Sequence, residues 1–409
     1  MFSLKIQKHA KGKMWKRWWL FNATNFQSLM YPCFIFCRIL GIFPYKINAS
    51  TFEASKPRYI LSTVIICIFC VLNLIFMRDI IVFKVIDFRH VTQNFGLSSF
   101  YMFSGFIIII THVLSGPRIR LLQTIMEISS TLPPKSYQKL SRLIHVKDIF
   151  GTFYLIGLIC MYFYVAHVDI IHVIFSTYIV LHTFTMDMLY MNCVCVLKAC
   201  FKEINNNLLH MQELIVNNKP YVPIMFYYKQ RNAFLIMNLK ALKKQHLMVS
   251  NAVQMLNKIF SLQLLATTAM SFSQIIFGLY RHVQWYNRLF LNLDKQFDIL
   301  FLTTTVYYFI KILLLVWACE TGKNQAEEIR TTIHDVLNGS RDEQIKNELQ
   351  LFSLQILHCE NTFSAKGLNV DAQFLTTVSN QALALVNKIY HVYYFHCVFR
   401  WRTPLLHIC

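Results

Sequence analysis

Apolar residues along this chain fall into long blocks separated by shorter polar, mostly basic stretches, and the blocks have the length that crosses a bilayer. A hydrocarbon core about 30 Å thick takes roughly 20 residues of helix. Windows of that length predict spans at 59–77, 95–114, 149–168, 171–197, 259–280, 298–318 and 374–397. The expected fold is therefore all-α and integral to the membrane, with seven transmembrane helices. Almost nothing separates the third span from the fourth, so the two form a tight helical hairpin. A further block, 30–45, is interrupted by Arg38 and by Pro32 and Pro44, and reads as interfacial or re-entrant.

Two polar stretches carry a helical rhythm of their own. In 341–358, Ile345, Leu349, Phe352 and Ile356 recur at spacings of four, three and four, an apolar stripe that needs a partner. In 233–260, Leu239, Leu242, Leu247, Val249 and Val253 form a looser stripe. The two helices either pack within one chain or form a subunit-assembly region. The expected organisation is a basic N-terminal segment (1–58), six spans with their loops, including a long loop at 198–258 (59–318), a helical anchor segment (319–373), and a seventh span with its tail (374–409).

Charge orients the helices. Before the first span lie Lys5, Lys8, Lys11, Lys13, Lys16, Arg17, Arg38, Lys46, Lys56 and Arg58 against the single acid Glu53. Cytoplasmic loops carry the excess of Lys and Arg, so this segment is expected in the cytosol and the C-terminus outside. The loops at 115–148 and 198–258 are basic in the same sense, whereas 78–89 is balanced. The opposite orientation, with an acidic-Arg-aromatic triplet after the third span, would mark a rhodopsin-type receptor, and neither is read here. Trp15, Trp18 and Trp19 among basic residues suggest an interfacial amphipathic helix rather than a cleaved signal peptide. The sequons at Asn22, Asn48 and Asn338 fall on the expected cytosolic side and read as chance matches.

Composition narrows the function. Apolar residues make up 55% of the 409 and charged residues 15%, more hydrophobic surface than a soluble domain hides. The net charge of +20 is spread over the loops and forms no nucleic-acid patch. The cysteines sit mostly inside apolar blocks without metal or disulfide spacing, so no cofactor and no metal are expected. No nucleophile elbow, P-loop or H-E-x-x-H occurs, and intramembrane carboxylates are sparse, so an enzyme is not expected. Polar residues instead collect toward the expected extracellular ends of the spans, and such residues mark a cavity. Besides Tyr101, Ser104, Ser273, Thr303 and Thr305, the candidate ligand residues are His167, Asp169, His172, Gln274, Thr304, Tyr307 and Tyr308. Many of the hydroxyls among them could equally bond to their own helix backbone.

The stretch from the sixth span to residue 377 is the most specific. Cys319-Glu320, the helix from Glu327 to Leu337, Glu348-Leu349, Phe352-Ser353-Leu354-Gln355, His358, Phe363, Ala365, Gly367 and Asp371 together resemble the C-terminal signature of insect gustatory receptors, relatives of the insect odorant receptors. The resemblance implies a subunit of a homo- or heterotetrameric, ligand-gated, non-selective cation channel in the plasma membrane of sensory neurons, opened by a small-molecule tastant. It also implies that cytosolic helices, here the one carrying Ile345, Leu349, Phe352 and Ile356, anchor the assembly. One departure stands out. Where the family's seventh span carries Thr-Tyr and then Gln-Phe, this chain places Asn387-Lys388 in mid-span. A lysine there costs roughly 2.5–3.5 kcal/mol on insertion scales. A non-conducting or modulatory receptor, or a transporter, are the alternative readings.

Overall fold

The computed structural model describes residues 21–47, 51–83, 91–165, 170–216, 225–287, 295–340, 342–365, 368–371 and 373–377, with isolated positions between 380 and 388. Helix α1 (Phe26–Ile39) begins at a capping box: the Asn25 side chain accepts from the Ser28 amide at 2.8 Å, and Ser28 Oγ accepts from the Asn25 amide at 3.2 Å. It buries Phe26, Leu29, Met30, Cys33, Phe34 and Cys37 and leaves Phe36 and Ile39 on its outer face. Gly41, at φ +71°, takes the left-handed turn that closes the helix, a conformation that favours glycine. A short antiparallel hairpin, β1 (Tyr45–Ile47) with β2 (Phe52–Ala54), then leads into the first long helix.

Six helices among the described residues are long and apolar enough to cross a membrane. They belong to α2 (Lys56–Arg78, continued by a π-helical turn at Asp79–Phe83), α3 (Val91–Val113), α5 (Pro134–Val165), α6 (Ile170–Val216), α7 (Met225–Asn287) and α8 (Lys295–Gly339). The shorter α4 (Ser115–Ser129) connects α3 to α5. These six coincide with the first six spans read from hydropathy, and the protein is an all-α membrane protein. The seventh, 374–397, falls largely outside the described residues, although residues 373–377 are helical. The aromatic N-terminal stretch also lies outside them.

Burial is uneven for a physical reason. α6 is apolar nearly all round and is enclosed by α7, α8, α5 and α1, as a helix hydrophobic on every face must be. By contrast α2 and α5 turn residues such as Ile60, Leu74, Phe150, Phe153 and Phe163 outward, a surface suited to hydrocarbon rather than water. Because α7 is 63 residues long, it spans about 95 Å at 1.5 Å per residue, far more than a bilayer requires. The stretch 198–258 is accordingly drawn mostly as continuous helix: α6 runs on to Val216 and α7 starts at Met225. Neither extension contains Gly or Pro to stop it, and Phe201, Ile204, Leu208 and Met211 keep a buried stripe going.

Helix α9 (Glu343–His358) docks on these extensions. The Asp342 side chain caps it by accepting from the Gln344 and Ile345 amides, and Ile345, Leu349, Phe352 and Ile356 are buried against α7 and α8. On α7 the stripe runs Leu239, Leu242, His246, Val249 and Val253. Leu247 lies off it and is 40% exposed, because the helical period puts His246 at the inward position. The His246 ring faces Phe352 at 5.5 Å, and its Nδ1 lies 3.2 Å from Gln355 Nε2. Downstream, β3 (Ser364–Ala365) pairs with β4 (Leu368–Asn369), and Asn257 of α7 bonds to both the Thr362 carbonyl and the Ser364 amide.

Charge also ties α9 to α7: Lys243 lies 3.0 Å and Lys240 3.4 Å from the Glu348 carboxylate. Partial burial pushes the Glu348 carboxyl up, but the hydrogen bonds and positive charge of Lys243 and Lys240 outweigh it and hold the group below the ordinary carboxylate range. A lowered folded-state pKa stabilises docking above the unfolded glutamate value of about 4.3, and this contribution is lost as pH falls through the folded value. Amide exchange in 343–358 is therefore expected to accelerate under acid in the native chain more than in Glu348→Gln. Equal acid sensitivity in both would remove Glu348 from the account.

Candidate functional site

The end of the bundle where α5 closes at Val165, α6 opens at Ile170, α7 ends and α8 begins is called the loop end. Beneath it, α3, α7 and α8 enclose a cavity of about 90 Å³ lined by Gly96, Leu97, Gln274, Phe277, Gly278, Arg281, Phe301 and Thr304. Gln274 Nε2 donates to the Gly96 carbonyl at 3.0 Å, which cross-links α7 to α3. The Arg281 guanidinium lies 3.6 Å from the Phe301 ring centroid, a cation–π contact at the cavity wall. Thr304 bonds to its own backbone at Leu300, so its hydroxyl is satisfied while its side chain faces the cavity. The arrangement is an apolar and aromatic hollow with a few convergent polar groups, the lining of a small-molecule site, although its volume is below the about 150 Å³ that holds a benzene ring.

Glycine makes the approach of α7 and α8 possible. A Cβ on Gly278 would stand 1.9 Å from Thr305 Oγ1. Gly278→Ala is expected to push the helices apart, destabilise the fold by about 1–3 kcal/mol and distort the cavity. A thermal midpoint in detergent measures this, and an unchanged midpoint would mean that Thr305 simply rotates away.

His172 is built into a second cluster. Tyr101 Oη lies 2.6 Å from His172 Nε2 and 3.3 Å from Ser176 Oγ, and Tyr162 Oη lies 3.2 Å from His172 Nδ1. Both ring nitrogens are thereby engaged, one as donor and one as acceptor in the neutral imidazole. Phe76 and Phe175 pack around Tyr101, so the cluster joins α2, α3, α5 and α6. His167 and Asp169 lie outside the described residues. Ser104, Ser273, Thr303 and Thr305 each donate to a carbonyl of their own helix.

Tyr307 and Tyr308 lie deeper. Tyr307 stacks on Tyr154 with centroids 6.2 Å apart, and Tyr308 lies edge-on to it. Tyr307 lines a cavity of about 30 Å³ together with Asp187 and Lys311, an ion pair that was not singled out from the sequence. Lys311 Nζ is 2.6 Å from Asp187 Oδ2. Thr267 Oγ1 donates to the same carboxylate oxygen at 3.1 Å and accepts from Lys311 at 2.9 Å. The signal was in the chain: one carboxylate and one ammonium inside two apolar spans, each too costly to stand alone in hydrocarbon. Arg118 is likewise buried. It donates to the Thr111 carbonyl and to Gln263 Oε1, with the Phe260 ring 5.1 Å away.

Comparison with known proteins agrees with this architecture. Residues 30–378 match the family described as 7tm Chemosensory receptor. Over 139 residues the chain is 27% identical to the putative gustatory receptor 28b of Drosophila melanogaster, a match covering 33% of this chain and 30% of that relative's length. The structure of the insect olfactory receptor OR5 from Machilis hrabei superposes with a TM-score of 0.69 over 90% of this chain and 98% of that one, at 11% identity. The same receptor in complex with eugenol superposes at 0.67, with 12% identity. Likeness at that identity shows a shared fold, and the family match carries the assignment. The chain belongs to the 7tm chemosensory receptor family, that of the insect gustatory and olfactory receptors, and is a multi-pass membrane receptor rather than an enzyme.

Proposed function

We propose that this chain is a gustatory receptor subunit in the plasma membrane of sensory neurons, part of a homo- or heterotetrameric, non-selective cation channel opened by a small-molecule tastant. The observation that carries the ligand site is the convergence of Gln274 and Thr304, from α7 and α8, on one cavity beneath the loop end. His172 belongs instead to the Tyr101 cluster, and Tyr307 and Tyr308 to the deeper cluster beside Tyr154, so none of the three lines that cavity. A structural relative was solved in complex with eugenol, and a ligand larger than a benzene ring requires this hollow of about 90 Å³ to widen on binding. In this reading the N-terminus and α9 are cytosolic, in keeping with the basic flanks of the first span. The buried stripe of α9 fastens it to its own subunit, and its opposite face, with Leu351, Leu354 and Leu357 each more than half exposed, meets the next subunit.

Ligand binding opens the channel only through a higher affinity for the open state. The test is whole-cell current against a tastant panel, with and without a co-expressed receptor subunit. Gln274→Leu and Thr304→Val are expected to raise the half-maximal concentration about tenfold, the effect of roughly 1.4 kcal/mol, at unchanged surface expression. Absence of ligand-dependent current under both conditions would overturn the channel reading. Current only with a partner would favour a modulatory subunit, the reading that Asn387-Lys388 in the seventh span supports.

A further inference from the structure

A third cavity, larger than the other two and far from the loop end, lies between α1, α5 and α6 and has a volume of about 320 Å³. It sits beside His145–Phe153 of α5 and Phe184–Met188 of α6. On α6 that is about 21–27 Å from the helix start at Ile170, at 1.5 Å per residue, and so in the leaflet nearer α9. The geometry points to a binding site for one hydrocarbon chain of a bilayer lipid, held between α1 and the α5–α6 hairpin.

Three observations select that occupant. The first is continuity with the bilayer. Phe36 and Phe153, on the cavity wall, are 40% and 70% exposed, and on α5 Phe153 continues the outward face of Phe150, Ile156 and Phe163. The hollow therefore opens onto the surface that the membrane covers.

The second is the small polar demand of a wall whose polar residues are His145, Asp148, Thr152 and Thr185. His145 Nδ1 accepts from the Phe21 amide, and His145 Nε2 donates to the Leu29 carbonyl, so both nitrogens are committed to backbone. The Asp148 carboxylate is bound by Lys147 on one oxygen and by Asn192 Nδ2, at 2.9 Å, on the other. Thr152 Oγ1 donates to the Asp148 carbonyl at 2.7 Å. A guest bearing hydroxyls or charge would find every donor of His145, Asp148 and Thr152 already engaged and would lose its own hydration. A methylene chain loses nothing.

The third is size. A protein cavity of about 150 Å³ holds a benzene ring, so a hollow about twice as large, most of whose lining residues are apolar, takes a considerable length of chain. Pro32 helps to create the space: its ring replaces an N–H in mid-helix, and α1 offers no long side chain at that point to close the gap. The chain then acts as a wedge that completes the packing of α1.

Photolabelling tests this in the full chain. The protein is reconstituted in nanodiscs of phosphatidylcholine containing a fraction of phosphatidylcholine with a diazirine in one acyl chain, irradiated and mapped by mass spectrometry. Labels are expected to concentrate several-fold on α1 around Pro32–Phe36 and on α6 around Phe184–Met188, relative to the outward face of α2. Thr152→Phe, which fills the hollow, is expected to remove that excess and leave α2 labelling unchanged. Even labelling of all outward faces, or an excess that survives the filling variant, would overturn the proposal. So would labelling of these residues by a diazirine-bearing phenol but not by the lipid, since the occupant would then be a soluble lipophile. If Thr152→Phe does not fold, Cys33 of the unsubstituted chain reports instead. It lines the cavity and carries a free thiol. Its modification by N-ethylmaleimide is expected to accelerate about tenfold when lipid is stripped into a rigid steroidal detergent, and an unchanged rate would refute occupancy.

Discussion

Lys311→Met alone is expected to destabilise the protein by about 3–5 kcal/mol, because it leaves the Asp187 carboxylate buried without its counter-ion. The Lys311 and Asp187 side chains are 6% and 3% exposed, and only Thr267 would remain to bond Asp187 Oδ2. Asp187 Oδ1 already has no hydrogen-bond partner among the described residues, so the carboxylate has no reserve when the ammonium is removed. Removal of both charges in Asp187→Leu/Lys311→Met is expected to restore most of the loss, since the desolvation cost of the pair disappears with it. Thermal midpoints of fluorescently tagged variants in detergent separate the cases. A single variant as stable as the native chain would show that the carboxylate is protonated or hydrated without Lys311. A double variant as poor as the single would mean that the pair fixes the relative positions of α6, α7 and α8 rather than merely neutralising itself.

The second large effect concerns α9. Phe352→Ala removes a fully buried ring from between α7 and α8 and is expected to cost about 3–5 kcal/mol, by lost transfer energy plus the cavity left behind. Undocking follows, read as rapid amide exchange across 343–358. The opposite face should behave differently. Leu351→Ser/Leu354→Ser/Leu357→Ser lies on the exposed side of the same helix, so it is expected to leave the thermal midpoint within about 1 kcal/mol of native and to reduce assembly. Mass measured by light scattering reads the assembly. If Phe352→Ala undocks the helix yet leaves assembly intact, docking within the subunit is not needed for contact between subunits. If the triple leaves assembly intact, α9 is not the assembly surface.

The two variants separate what one helix carries on its two sides, and the sequence showed only one of them. Ile345, Leu349, Phe352 and Ile356 stood out because their spacing matches the helical period. Leu351, Leu354 and Leu357 keep a period too, but they interleave with the first set, and only the positions of α7 and α8 reveal which stripe is covered. His246 taught the opposite lesson. The period placed it on the inward face of α7, yet a polar side chain in an apolar stripe passes unnoticed until Gln355 and Phe352 are seen beside it.

Hydropathy alone determined the spans from 59–77 to 298–318, because the length of a bilayer-crossing helix is a property of contiguous residues and needs no knowledge of neighbours. The family signature between Cys319 and Asp371 was legible for the same reason, since its residues lie close together in the chain. The sites were not. Gln274 and Thr304 share a cavity only because Gly96 and Gly278 let three helices approach, and Tyr307 and Tyr308 sit deeper because they turn toward Tyr154 and Lys311. The pairing of Asp187 with Lys311, and the hollow beside Pro32 and Phe153, depend on which faces of separate helices meet. Local pattern decides what each helix is. Contacts between residues far apart in the chain decide what lies between the helices, and there the ion pair and the cavities were made.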